Sequence, residues 1–281
     1  MKFTSYNMFL KDLYGGGIDY AASRAAAQGY SGVEFLDFCG AREPLNKEKY
    51  PAEEVRRALA ANNLSVDCYS IYANVLCEDG EYFDAEIRRQ IDYAAAIGAK
   101  ILHHTLIPSL VIDENSPKYD DVFDFVVEKE RGIAEYCRER GLECIYEAQG
   151  FYFNGIDGVK RLITALCETA PNVGYCADLG NPLFADCDPV DITRELAQYI
   201  RHVHIKDYNI YDEPTGQKGE LRSRGGKYLC EALPGEGMID LAECLRIIKA
   251  SGYEGRVTFE FFADEEKLRE VMQYLTNIWE R

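Results

Sequence analysis

A membrane-spanning helix needs about 18 consecutive apolar residues, and this 281-residue sequence contains no such run. The opening Met1-Lys2-Phe3-Thr4-Ser5-Tyr6-Asn7 lacks the apolar centre of a secretory signal and reads as a strand. Basic residues are scarce beside acidic ones: 31 Lys and Arg against 48 Asp and Glu leave a formal charge of −17. A surface that acidic repels phosphate backbones and anionic headgroups, which removes nucleic acid and membrane from the expected partners. The ten cysteines include no Cys-x-x-Cys pair, so neither a close-set zinc cluster nor a dense disulfide scaffold is expected. They read as reduced, small hydrophobes of a cytoplasmic protein. No Gly-x-Gly-x-x-Gly follows the first strand, and Gly15-Gly16-Gly17 reads as a flexible loop rather than a phosphate cradle. Without a linker, low-complexity tract or composition shift, one domain is expected over residues 1–281.

What is present is a rhythm. Short apolar, β-branched or aromatic runs alternate with longer stretches of helical period. Strands are expected at 2–6, 32–36, 64–70, 100–104, 143–146, 173–177, 202–206 and 257–261. Helices are expected at 18–28, 52–62, 84–97, 119–140, 156–169, 189–198, 241–250 and 264–279. Gly29, Gly98, Gly141 and Gly252 supply helix stops. Eight such units in a chain of this length predict an α/β fold, a (β/α)8 TIM barrel, with a doubly wound open sheet as the alternative. The stretch 208–237 is too long for an ordinary connection and suggests a lid or binding loop.

Barrel chemistry gathers where strands end. Strand five ends in Tyr146-Glu147 and strand six in Ala177-Asp178, while strand seven reads His202-Val203-His204-Ile205-Lys206 and strand eight Thr258-Phe259-Glu260. Alternation turns His202, His204, Lys206, Thr258 and Glu260 inward. Glu147, Asp178, His204 and Glu260 therefore converge, and three carboxylates with one imidazole suit a divalent cation such as Mn²⁺, Mg²⁺ or Co²⁺. Without a cation the three anions would repel one another.

These residues carry a resemblance. Tyr146-Glu147, Ala177-Asp178-Leu179-Gly180-Asn181, His202-Val203-His204-Ile205-Lys206-Asp207, Pro234-Gly235-Glu236-Gly237-Met238-Ile239-Asp240 and Thr258-Phe259-Glu260 together resemble the sugar phosphate isomerase/epimerase family of xylose isomerase-like barrels. The resemblance implies that Glu147, Asp178, His204 and Glu260 bind the metal, with Mn²⁺ expected first. It further implies that Glu147 and Glu260 are catalytic, flanking a substrate carbon and moving its proton. The implied activity is that of a sugar or sugar phosphate isomerase or epimerase, with 3-epimerisation of a ketose expected first. The alternative is a lyase or dehydratase on a keto-sugar or inosose, C-glycoside-cleaving enzymes included.

Many relatives carry His where this chain has Asn181, which keeps a donor and an acceptor and is expected to bind substrate. Lys206 shares the face of His204 and is expected to bond a substrate oxygen. Of His103-His104 at the end of strand four, His104 lies nearer the strand end and is expected to face the mouth and bind substrate. Tyr6, Asn7, Glu34 and Tyr72 are candidates by position alone. The segment Arg222-Ser223-Arg224-Gly225-Gly226 offers a phosphate site or a solvated charge run. A nuclease of the same superfamily, which gathers several zinc ions on many histidines, is excluded by four histidines and the net charge of −17. A non-catalytic scaffold would have no use for both Glu147 and Glu260. Expected partners are small carbohydrates, and homo-oligomer formation is left open.

Overall fold

The eight expected strands pair side by side and close on themselves. A computed structural model describes residues 1–39, 50–77, 79–168 and 170–281. In chain order, β1 (Phe3–Ser5) is followed by α1 (Asn7–Gly16), α2 (Ile18–Ala27), β2 (Gly32–Phe38), α3 (Ala52–Ala61), β3 (Ser65–Tyr72), α4 (Gly80–Ile97), β4 (Ile101–His104) and α5 (Tyr119–Glu139). Then come β5 (Glu143–Glu147), α6 (Ile156–Cys167), β6 (Val173–Asp178), α7 (Pro189–Glu195) and β7 (Ile200–Ile205). The chain finishes with β8 (Asp207–Tyr211), β9 (Leu221–Arg222), β10 (Tyr228–Ala232), α8 (Leu241–Ala250), β11 (Val257–Phe259) and α9 (Glu265–Glu280). The barrel order is β1-β11-β7-β6-β5-β4-β3-β2, so β1 closes the ring against β11 and β2. Every pairing in the ring is parallel, which makes this a TIM barrel and sets aside the open sheet.

Barrel strands are buried on both faces, which is why they read as short continuous runs. Outward side chains such as Leu102, Val203, Ile205 and Phe259 meet the helices in the main core. Inward, Cys68, Ile145 and Cys176 form a small apolar layer beneath the mouth. The four helix-stop glycines all take positive φ, between 73° and 91°. Asp188, Asp240 and Asp264 cap α7, α8 and α9 by accepting from backbone N–H groups two or three residues on. No helix among the described residues is long and apolar enough to cross a membrane.

Three expectations change, and one falls outside the described residues. Gly15 and Gly16 are not a flexible loop: they end α1, whose Met8, Phe9, Leu10 and Leu13 are buried, and Gly17 (φ 82°) turns the chain into α2. The helix expected over 189–198 stops at Glu195 and continues as a 3-10 turn over Ala197–Tyr199. The end of the helix expected over 156–169 falls on Thr169, outside the described residues. The long stretch after β7 is an antiparallel three-stranded sheet, ordered β8-β10-β9.

Candidate metal centre at the barrel mouth

The ends of β5, β6 and β7 and the residue after β11 bring Glu147, Asp178, His204 and Glu260 together, with ligand-type atoms all within 4.8 Å of one another. Glu147 Oε2, Asp178 Oδ2 and Glu260 Oε2 stand 3.4, 3.7 and 3.0 Å from His204 Nδ1. All four atoms are buried and none meets hydrogen-bond geometry, although the Lys206 ammonium pairs with Asp178 Oδ2 at 3.0 Å. Polar atoms so placed are costly unless something satisfies them together. Oxygen donors with one imidazole fit Mg²⁺, Mn²⁺ or Co²⁺, so the residues present fit a divalent cation. Burial raises the Glu147 carboxyl above its ordinary range, helped by Asp178. Asp178 goes the other way: burial opposes ionisation, but Lys206 and His204 outweigh it and hold the acid well below the usual range.

The local backbone fixes the ligands. Asp178 Oδ1 accepts from Gly180 N (2.8 Å) and Asn181 N (2.7 Å), which aims Oδ2 at the cluster. A Cβ at Gly180 would lie 2.8 Å from Lys206 Cβ and 2.7 Å from the Tyr208 ring, so only glycine fits this turn. Behind His204 sits Glu34. His204 Nε2 is 3.2 Å from both of its oxygens, His202 Nε2 is 2.8 Å from Oε2, and Ser70 Oγ donates to Oε1 at 2.6 Å. Burial alone would raise Glu34, yet His204 and His202 hold it well below the carboxylate range. A carboxylate on the far nitrogen of an imidazole turns the near nitrogen to the metal position. Glu34 was marked in the sequence by position only, because nothing along the chain links it to residues about 170 positions away.

Lys206 lies where expected, buried, with Nζ 3.0 Å from Asp178 Oδ2, Glu260 Oε1 and Asn181 Oδ1. Asn181 is thereby drawn to the rim of the cluster. Tyr6 packs its ring 5.7 Å from that of His204, whereas Asn7 starts α1 and Tyr72 packs its exposed ring on Phe38. Cys176 was not anticipated. It lies two residues before Asp178 on the same face, in a group with Glu147 and His204.

The expectation for His104 is corrected. Alternation turns it outward, against α5, where Nε2 is 2.8 Å from Glu130 Oε2 and the ring is 5.3 Å from that of Tyr146. Burial would lower this imidazole, but Glu130 outweighs burial and raises it well above its ordinary value. His103 takes the inward position, with Nε2 3.6 Å from Glu147 Oε1 and the ring 5.7 Å from that of His204. Burial and the neighbouring His204 hold His103 down at about 3. The Arg222–Gly226 segment also resolves. Ser223 Oγ and Gly225 N both donate to the carboxylate of Asp186 at 2.6 Å, and Arg224 Nη1 donates to the Phe151 carbonyl. The anion in that turn is the chain's own.

Residues 22–278 match the family profile described as xylose isomerase-like TIM barrel. The inosose dehydratase of Lacticaseibacillus casei is 24% identical over 231 residues, 78% of this chain and 77% of that protein. Among solved structures, D-psicose 3-epimerase from Clostridium cellulolyticum H10 with D-tagatose superposes with a TM-score of 0.76 at 12% identity, covering 99% of each chain. A xylose isomerase-like TIM barrel protein from Mycobacterium smegmatis, in complex with magnesium, gives 0.73 at 18% identity, covering 99% of this chain and 97% of that one.

Proposed function

The chain belongs to the xylose isomerase-like TIM barrel family, and on that premise we propose that it is a divalent-metal-dependent enzyme that moves a proton on the carbon beside a sugar carbonyl, by 3-epimerisation of a ketose. The observation that carries this reading is the convergence of four buried ligand atoms, all within 4.8 Å of one another and none in a hydrogen bond of good geometry. Glu147, Asp178, His204 and Glu260 hold the cation, Mn²⁺ first and Mg²⁺ or Co²⁺ in its place. When bound, such a cation stabilises the negative charge that develops on a carbonyl oxygen as the neighbouring proton leaves.

The chain's own groups do the rest. Glu147 and Glu260 each turn one oxygen to His204 and keep a second oxygen elsewhere, Glu147 Oε1 towards His103 and Glu260 Oε1 towards Lys206. One carboxylate takes the proton from one face of the carbon and the other returns a proton to the opposite face, which inverts the centre. Lys206 orients Glu260 and, when substrate displaces one of the three contacts of its ammonium, bonds a substrate oxygen, while the Asn181 amide fixes a hydroxyl at the rim.

A second reading, loss of a β-hydroxyl from an inosose or another keto-sugar, begins with the same proton abstraction and needs an added acid for the leaving group. The inosose dehydratase relatives favour it, as does a histidine beside Glu147. Incubating the Mn²⁺-loaded protein in D₂O with ketoses, ketose phosphates, inososes and 3-keto glycosides separates the two. Epimerisation is expected to place deuterium on an inverted carbon of a ketose. Elimination from an inosose without ketose inversion would favour the second reading, and no exchange into any of them would reject both.

A further inference from the structure

We propose that His103 is a substrate-contacting residue whose Nε2 takes the hydroxyl one carbon beyond the reacting carbon, and that Ser70 and Glu34 are the positioning residues that keep this ring atom free. The proposal rests on the reading of the mouth as a metal-holding site for a polyhydroxylated carbonyl compound.

Its starting point is the hydrogen-bond chain on the inner wall of the barrel. Glu34 Oε1 receives Ser70 Oγ at 2.6 Å, and the same Oγ lies 3.0 Å from His103 Nδ1. An ionised carboxylate only accepts and a hydroxyl has one proton to give. Ser70 therefore donates to Glu34, and His103 Nδ1 must donate to Ser70. That leaves Nε2 uncommitted. It is buried, has no hydrogen-bond partner, and stands 3.6 Å from Glu147 Oε1, beyond bonding distance. It also falls outside the set of ligand atoms that lie within 4.8 Å of one another.

A buried ring nitrogen left unpaired beside a proton-moving carboxylate needs a partner that the ligand brings. A hydroxyl suits it, since it can donate to this atom or accept from it. With Glu147 over the reacting carbon, the neighbouring nitrogen meets the substituent on the next carbon along. In a ketose this hydroxyl is retained. In a keto-inositol it is the β-hydroxyl, so one contact serves either outcome of the proposed chemistry. Sites built to bond a hydroxyl reject analogues that lack it.

The test uses the Mn²⁺-loaded protein and its His103→Ala, His103→Gln and Ser70→Ala variants. Mn²⁺ affinity is measured by electron paramagnetic resonance, and calorimetry follows binding of D-fructose, 4-deoxy-D-fructose and an inosose. His103→Ala is expected to leave Mn²⁺ affinity unchanged, to weaken D-fructose or inosose binding by about tenfold or more, and to leave the weak binding of the 4-deoxy ketose unaltered. His103→Gln, which keeps a donor and an acceptor, recovers part of the loss and also covers the case in which the alanine variant misfolds. In Ser70→Ala, ¹⁵N spectra of labelled histidine are expected to show His103 as a mixture of tautomers. Sugar binding by folded, Mn²⁺-loaded His103→Ala equal to wild type overturns the proposal alone, and loss of Mn²⁺ overturns it by making His103 a ligand. A wild type that holds Mn²⁺ but binds neither D-fructose nor the inosose overturns the carbohydrate reading of the site, and this proposal with it.

Discussion

Glu147 and Glu260 are placed for two tasks at once, one oxygen in the ligand cluster and one beside a second polar group. Replacing either by glutamine keeps the shape but removes the base. At saturating metal, Glu147→Gln and Glu260→Gln are each expected to lower turnover by roughly 10²–10⁴-fold, read from steady-state rates on the accepted sugar. An epimerase loses both directions in either variant, while a lyase using one base tolerates loss of the other glutamate. His104 and Glu130 make a different, structural prediction. The folded-state value of His104 is raised above the unfolded reference of about 6.5, so the pair contributes fully below that pH and loses its contribution as pH climbs through the raised value. Glu130→Gln should therefore cost about 3–5 kcal/mol at pH 6, and chemical denaturation should show the gap narrowing as pH climbs through the raised His104 value. His103 and His104 also mark where sequence reasoning stops. Both faces of β4 are buried, so apolar alternation cannot say which imidazole points inward, and nearness to the strand end is no guide to parity. The neighbouring register decides it, with His103 opposite Ser70 and Ile145.

Among the elements, the segment after β10 depends on one side chain. The Asp207 carboxylate, just past β7, accepts from Gly235 N, Gly237 N and Ile239 N at 2.9, 3.0 and 3.2 Å, and from its neighbour Tyr208 N at 2.9 Å. A Cβ at Gly237 would lie 2.1 Å from that carboxylate, so the glycine allows the approach. Asp207→Ala leaves the buried Tyr208 N–H and three partly buried or exposed donors without their acceptor and is expected to cost on the order of 1–3 kcal/mol, seen as a lower urea midpoint with an unchanged slope. The motif residues here were visible in the sequence, but their use was not: Asp207 and Pro234-Gly235-Glu236-Gly237 read as separate marks, and only the fold shows one holding the other. The barrel strands were legible because burial on both faces writes them as short β-branched or aromatic runs. The sheet β8-β10-β9 was not, because its strands are only partly buried, β8 mixes Asp207 and Asn209 with its aromatic residues, and β9 is two exposed residues long. Helix α1 was hidden by its glycine-rich end, where propensity points to a loop while Phe9 and Leu13 bury themselves against the barrel.

For the molecule as a whole, the proposed metal site at the barrel mouth ties cation binding to stability. The fold gathers Glu34, Glu147, Asp178 and Glu260 at one end of the barrel, with the Lys206 ammonium and the inward histidines facing them. The ligand atoms are held in position by the barrel itself, through register pairs such as Asp178 with His204 and Thr258 with His204, so the unfolded chain cannot reproduce the set. A cation that binds the folded form alone stabilises it by RT ln(1 + [M]/Kd), about 2.7 kcal/mol at a hundredfold excess over Kd. For a chain of this size each kcal/mol moves the melting temperature by roughly 2–4 °C, so loading with Mn²⁺ should raise it by about 5–10 °C. A chelator should return the protein to the lower transition and abolish turnover together. Asp178→Asn tests the linkage, because it keeps one oxygen and the strand-end turn but removes a ligand charge. Its melting temperature in chelator should lie near that of wild type or below, since Lys206 loses a buried anionic partner, while the Mn²⁺-dependent rise should shrink or vanish. If wild type and Asp178→Asn respond equally to Mn²⁺ in calorimetric scans, the cation binds elsewhere on this strongly acidic surface and the mouth is not the metal site.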